Sequence, residues 1–207
     1  MPRGASLRSI LQKRSDIIDD FEDGDISEYG DLPNDDLASF RPDETTIVKN
    51  GKYSLECATG GGAKQIHSIT GLDYYPESES KFRFNSYADS TELVFGIRFA
   101  VKGEDNFYYL RYRTDTNEFQ FYIRENGNYS LLAEDTTVTI PVGEWLEIEV
   151  DWGSAGTIVM TLFNASGTQL SQISVTDNTF TSGGIGWAIN TTAGTTQYGY
   201  VDYARVV

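Results

Sequence analysis

Between residues 106 and 124, in NFYYLRYRTDTNEFQFYIR, chemistry-bearing side chains recur at every second position. Tyr109, Arg111 and Arg113 alternate with Tyr108, Leu110 and Tyr112, and after the turn Thr-Asp-Thr-Asn, Gln120, Tyr122 and Arg124 alternate with Phe119, Phe121 and Ile123. Period-two alternation assigns the apolar set to a buried sheet face and the polar set to an open one. An open face needs only to be wet, which Lys, Glu or Thr achieve with less aromatic surface. Tyrosine with arginine and glutamine is instead suited to holding a sugar, a ring against its C–H face and planar polar groups satisfying hydroxyls in pairs. The same alternation turns Arg83, Asn85 and Tyr87 of KFRFNSY outward, with Arg98 of ELVFGIRFAVK and Glu147 and Glu149 of WLEIEVDW. These residues are expected to share one sheet face as a glycan-binding surface. The competing reading is a laced surface, with arginines paired to glutamates across strands, or a face covered by a loop or another copy.

Glu147, Glu149 and Asp151 fall on one side of one strand, about 6–7 Å apart from the rise of an extended chain. Retaining glycosidases use two carboxyls about 5–5.5 Å apart, so a hydrolase built on Glu147 and Glu149 is the competing enzymatic class. With one histidine, His67, a His-rich metal site is excluded, and a Ser-His-Asp triad would depend on that residue alone. His67 alternates with Ile66 and Ser68 in AKQIHSI, as an ordinary strand histidine does. Cys57 is the only cysteine, so no internal disulfide forms.

The elements that position these groups are short strands. Twenty glycines, 13 tyrosines and 11 phenylalanines, with almost no helical periodicity, point to one all-β domain within 207 residues. Asn50-Gly51 reads as a hairpin turn, as does Asn126-Gly127, and a further hairpin turns through Asn164 to Gly167. A first strand is expected to end at Asp23-Gly24. Residues 1–15 carry Arg3, Arg8, Lys13 and Arg14 and no acid, whereas residues 16–45 carry twelve acids against Arg41 alone. The expected division is therefore a basic N-terminal arm, 1–15, and a sandwich domain, 16–207. Leu7, Ile10 and Leu11 allow the arm a short amphipathic helix, too short to be stable alone, for docking to other structural proteins of an assembly; the alternative is a frayed terminus.

The net charge is −15. Such a field repels nucleic acid and anionic membranes, so neither is an expected partner. Few lysines among many acids also match proteins of high-salt organisms, where salt screens self-repulsion, and equally an acidic surface protein of a mesophile. No signal peptide and no run of about 20 apolar residues is visible, so residence on a particle or an extracellular surface is expected to come by assembly, with the cytoplasm as the alternative.

From residue 82 onward the succession YYLRYR, FxFYIxxNG, GEWLEIEV, LFNASG, GGIGWAI and YVDYARV resembles the concanavalin A-like lectin/glucanase sandwiches, including laminin-G-like modules. The opening DDFEDGD with NGKYSLE downstream is similar to jelly-roll carbohydrate-binding modules. The resemblance implies a two-sheet antiparallel jelly-roll sandwich. It also implies one structural calcium ion held by a glutamate of the opening motif and an aspartate of the last strand, which here are Glu22 and Asp202. The strand with Glu147 and Glu149 matches the GEW strand of non-catalytic lectin-like modules. It departs from the ExDxE strand of laminarinase-type hydrolases in having Glu149 at the middle position and Asp151 at the end. The resulting expectation is a non-enzymatic, oligomeric recognition module of a larger assembly. A virion surface component, such as a capsid decoration, turret or tail part of a virus of a halophilic archaeon, fits its charge pattern. The alternatives are a glycoside hydrolase and a purely structural subunit.

Overall fold

The computed structural model describes residues 16–72 and 74–207; the arm expected at residues 1–15 lies outside them. Fourteen strands follow in order: β1 (Ile17–Asp19), β2 (Phe40–Glu44), β3 (Ser54–Thr59), β4 (Lys64–Ser68), β5 (Ser80–Ala88), β6 (Leu93–Gly103) and β7 (Asn106–Arg113), then β8 (Glu118–Glu125), β9 (Asn128–Asp135), β10 (Trp145–Trp152), β11 (Thr157–Phe163), β12 (Gln169–Thr176), β13 (Gly184–Thr191) and β14 (Gln197–Val206). They form two antiparallel sheets. One runs β12-β11-β10-β5-β14-β3-β2 with β1 beside β14, and the other runs β4-β13-β6-β7-β8-β9. Among the described residues helix is confined to two 3-10 turns, Leu37–Ser39 and Ser154–Gly156.

The alternation read from the sequence sets the faces. On β10 every second residue, Leu146, Ile148, Val150 and Trp152, is buried, while Glu147, Glu149 and Asp151 are half-buried on the outside. On β6, β7 and β8 the inward residues include Phe95, Phe99, Tyr108, Tyr112, Phe119 and Phe121, all fully buried. Rings from the two sheets meet edge to face, Trp152 on Phe99 at 5.3 Å and Phe84 on Trp187 at 5.4 Å between centroids. Each such large apolar side chain contributes about 1.5–3 kcal/mol by leaving water, so this aromatic layer is what holds the sheets together.

The turn at 126–127 forms as its sequence predicts, with Asn126 and Gly127 both at positive φ, 49° and 82°, between β8 and β9. The Asn50-Gly51 turn does not. Residues 45–53 form a loop, and the strand antiparallel to β3 on this side is β2, with Phe40 opposite Cys57 and Arg41 opposite Glu56. The amides that a tight hairpin would use are taken by carboxylates. Lys49 and Asn50 donate N–H to Asp202 Oδ2 at 2.7 and 2.8 Å, and Lys52 and Tyr53 donate to Glu22 Oε1 at 2.7 and 3.0 Å. The first strand is likewise shorter than expected: β1 ends at Asp19, because the Asp19 carboxylate accepts the Phe21 N–H at 2.8 Å and turns the chain.

Candidate functional site

The strand order divides the expected binding face in two. Arg83 and Tyr87 lie on β5 and Glu147 and Glu149 on β10, in the larger sheet; Arg98, Tyr109, Arg111, Arg113, Gln120 and Tyr122 lie on β6, β7 and β8, in the smaller one. Alternation fixes a side chain's direction relative to its own sheet but carries nothing about which sheet the strand joins.

On the larger sheet the outward groups satisfy one another. Arg83 opposes Glu149 in the β5–β10 register, donates Nε–H to Glu149 Oε2 at 2.6 Å and pairs with Glu147 at 2.9 Å. Lys81 bridges Glu149 and Asp151 at 3.2 and 2.8 Å. Tyr87 packs edge to face between Trp145 and Tyr200. This is the laced surface of the competing reading: Glu147 and Glu149 are both engaged by cations, although Glu147 also lines a groove of about 450 Å³ with Lys49, Asn50, Asn85, Tyr203 and Arg205.

The smaller sheet carries a groove of about 350 Å³ lined by Arg98, Tyr109, Arg111, Tyr122, Tyr129 and Asn190 among others. Arg111 and Tyr122 stand together: Arg111 donates Nη2–H to the Tyr122 hydroxyl and Nε–H to Gln120 Oε1, both at 2.9 Å, with its guanidinium 4.6 Å from the Tyr122 ring centroid. Gln120 is almost fully buried and passes the contact on, donating Nε2–H to Glu134 at 3.1 Å. Arg113 is held away at the hairpin end by Asp115 at 2.7 Å and Glu118 at 3.5 Å.

Arg98, expected to be exposed, is 4 % exposed. It points to the outer face but lies over the Phe107 ring at 4.4 Å and near Tyr109 at 5.3 Å. Its Nη1–H reaches His67 Nε2 at 3.1 Å, and His67 Nδ1 stands 2.6 Å from Asp35 Oδ1. A guanidinium can only donate, so Nε2 accepts, Nδ1 carries the proton and His67 is neutral. Burial, opposed by the Asp35 hydrogen bond, pulls His67 below its ordinary pKa in agreement with this tautomer. His67 is therefore a buried strand residue whose role is to orient Arg98. Burial likewise pushes the Tyr109 hydroxyl up, against the pull of Arg98 and Arg111, so it stays protonated.

Small residues make the room. A Cβ at Gly96 would fall 2.7 Å from Tyr109 Cε2, and one at Gly186 would fall 2.4 Å from His67 Cδ2, so each glycine lets a ring lie flat on the sheet. Tyr129 and Asn190 join the groove without having been singled out from the sequence. The signal was present for both: the Asn126-Gly127 turn fixes Tyr129 opposite Arg124, and GIGWAIN alternates Gly186, Ala188 and Asn190 against Ile185, Trp187 and Ile189. Asp35 had no such signal, since it arrives from a loop 32 residues before His67.

Glu22 and Asp202 come together on the 45–53 loop. A Cβ at Gly51 would lie 2.2 Å from Glu22 Oε1, so the loop backbone rides directly on that carboxylate. Asp202 Oδ1 is buried with no hydrogen-bond partner. Burial, with the nearby charges of Glu22 and Asp20 adding to it and the Lys49 and Asn50 amides opposing it, raises Asp202 to about 6. A buried carboxylate oxygen without a donor and hard oxygen chemistry fit a calcium ion. Among the described residues no group of three or more His, Cys, Asp or Glu side chains converges as a metal site, so such an ion would draw its remaining ligands from carbonyls or water.

These two sheets define a jelly-roll, concanavalin A-like β-sandwich. Among solved structures the chain is similar to the carbohydrate binding module CBM66 from Bacillus subtilis, at 14% identity and TM-score 0.55 over 73% of this chain and 86% of that one. It is also similar to the cellulose induced protein Cip1, at 16% identity and TM-score 0.63 over 91% of this chain and 95% of that one. A variant of the GH43 protein BlXynB from Bacillus licheniformis matches at 10% identity and TM-score 0.64, where this chain is covered whole but spans 40% of the longer protein. No protein-family model matches the chain, and no curated protein matches it in sequence. At these identities the likeness is one of fold.

Proposed function

We propose that this chain is a glycan-recognising module without catalysis of its own, binding sugar in the groove on the smaller sheet. The observation that carries the reading is the groove itself, where the Tyr122 ring and the Arg111 guanidinium are held together by a hydrogen bond at one open surface. Ring and fork are the two chemistries a pyranose needs, and both are fixed before a ligand arrives, which lowers the entropy lost on binding. The similarity to a carbohydrate binding module supports this reading, and the ion-paired state of Glu147 and Glu149 argues against a hydrolase. Binding to a glycan array, followed by calorimetry on the best hit, is the test. Tyr122→Ala is expected to weaken that hit by about tenfold, as loss of an aromatic contact of ~1.5 kcal/mol gives. A folded protein that binds no glycan overturns the reading, and reducing ends released from β-glucans by the wild type but not by Glu147→Gln would replace it with the hydrolase.

The module is a surface part of a particle, such as a virion capsid decoration, turret or tail. This finer placement rests on the contrast between the basic residues 1–15 and the acidic body, which suits an arm docked to an assembly. Retention in purified particles by the full chain, but not by a form lacking residues 1–15, is the expected result. A calcium ion on Glu22 and Asp202 would tie the 45–53 loop to the segment after β1 and to β14. Loss of Tm on EDTA treatment, restored by calcium and absent in Asp202→Asn, is expected; an unchanged Tm removes the ion.

A further inference from the structure

The groove holds two arginines, Arg98 and Arg111, with no carboxylate within 4 Å among the described residues. Among the described residues Arg41, Arg83, Arg113 and Arg124 each contact a carboxylate within 4 Å. Arg98 and Arg111 do not, nor does Arg205 on the larger sheet, although the chain has 31 acids for 16 bases. Arg111 is occupied by neutral oxygens of Gln120 and Tyr122, and Arg98 by the neutral His67. The Arg98 Nε is in addition buried with no hydrogen-bond partner, on a side chain 4 % exposed that lines the groove. Their guanidinium carbons lie 5.3 and 5.9 Å from the centroid of one ring, Tyr109, so both charges stand around the same tyrosine. Asp35 stands behind His67 and offsets part of the Arg98 charge without touching it, while Arg111 is part-exposed with no carboxylate within 4 Å, so two guanidinium groups at one groove are left to favour an anion over a neutral hydroxyl.

Resting on the glycan reading above, we infer that the groove selects acidic sugars, a hexuronate whose carboxylate lies against Arg98 and Arg111 while its ring packs on the adjoining tyrosines. A carboxylate is planar and accepts paired N–H donors, the geometry a guanidinium fork offers. Around the site aromatic and small residues, Tyr122, Tyr129 and Ala188, leave room for a ring rather than a bare ion. The acidic body opposes any anion at long range, but that field is screened over about 8 Å at physiological salt, whereas contacts inside a part-buried groove are screened far less. The counter-charge is supplied locally and the selection is local.

The test is calorimetry of the full chain against oligomers of glucuronate, galacturonate, mannuronate and guluronate, each beside its carboxyl-reduced neutral form, with a sulfated neutral oligomer as a further arm. At least one uronate is expected to bind about tenfold tighter than its reduced partner, the margin of a charged over a neutral hydrogen bond. Arg111→Gln is expected to bring that ratio near one. Arg205→Gln, an arginine on the other sheet, leaves it in place, and since Arg111 is part-exposed its variant folds where Arg98→Gln could fail. Equal binding of acidic and reduced forms overturns the inference and leaves glycan recognition standing. Binding of the sulfated oligomer without any uronate overturns the carboxylate, as does a ratio that survives Arg111→Gln. Binding of no oligomer of either kind by a folded protein that still binds its best hit on the glycan array overturns the inference alone, and a folded protein with no hit on the array either overturns both readings.

Discussion

Asp19 is buried, accepts the Phe21 N–H on Oδ1 and the Tyr29 O–H on Oδ2, each at 2.8 Å, while Tyr29 in turn accepts the Trp187 Nε1–H at 3.2 Å. The chain of three ties the loop after β1 to the tryptophan at the centre of the core. Burial, only partly offset by those two hydrogen bonds, raises Asp19 to about 7, well above the usual carboxylate range. A raised carboxyl keeps its proton in the folded state while the unfolded chain has lost it. Its contribution to stability is therefore fully present below about pH 4, falls as pH rises and is gone above about pH 7. Asp19→Asn removes this dependence. The stability of the variant relative to wild type is expected to rise between about pH 4 and 8, by at most about 4 kcal/mol at 1.36 kcal/mol per pKa unit. Urea unfolding at each pH reads the difference, and a gap that stays constant with pH would show that Asp19 is ionised throughout. None of this was legible in the sequence, where Asp19 is one acid among twelve in an acidic opening stretch.

At the scale of the element, the outward direction of Tyr109, Arg111, Gln120 and Tyr122 was readable because a strand has a period of two and the hairpin turn fixes the register of β7 against β8. The grouping of those residues with Arg83 and Glu147 was not, since β5 and β10 belong to the other sheet and that pairing is set by contacts more than 60 residues apart. Arg98 shows the same limit in another form: its strand direction was right, and its burial came from Phe107 of the neighbouring strand and His67 of a distant one. Asn50-Gly51 is the case where a strong local turn signal lost to Glu22 and Asp202 reaching in from the two ends of the domain. Gly96 marks what these strands require of one another. It lies opposite Arg111 on β7, and an added methyl would meet Leu110 O at 2.5 Å and Arg111 Cβ at 2.9 Å. Backbone cannot yield as a flexible side chain does, so Gly96→Ala is expected to cost about 1–3 kcal/mol, the usual penalty of overpacking, and to tip Tyr109 into the groove. A drop in Tm together with weakened glycan binding is the expected pair of results, whereas an unchanged Tm would mean that β6 and β7 part without strain.

For the whole molecule the strongest electrostatic influence is the charge of −15. Salt acts on that charge in two opposing ways, weakening attraction in ion pairs and weakening repulsion among the unpaired acids. The pairs are close, for example 2.6 Å in Lys64–Asp36 and 2.8 Å in Arg124–Asp105. Such distances are shorter than the Debye length of about 10 Å at 0.1 M and comparable to the ~3 Å reached at 1 M, so they are screened last. Exposed pairs also contribute only ~0–1 kcal/mol each. The repulsion between acids spread over the surface acts across longer separations and is screened first, so its relief outweighs the loss in the pairs. Raising sodium chloride from about 0.1 to 1 M, with EDTA present so that no bound calcium contributes, is accordingly expected to raise Tm. Each kcal/mol of relieved repulsion is worth about 2–4 °C in a domain of this size. A Tm that stays flat or falls across that range would mean that the acids are balanced by the local contacts already described, and that the composition carries no adaptation to salt.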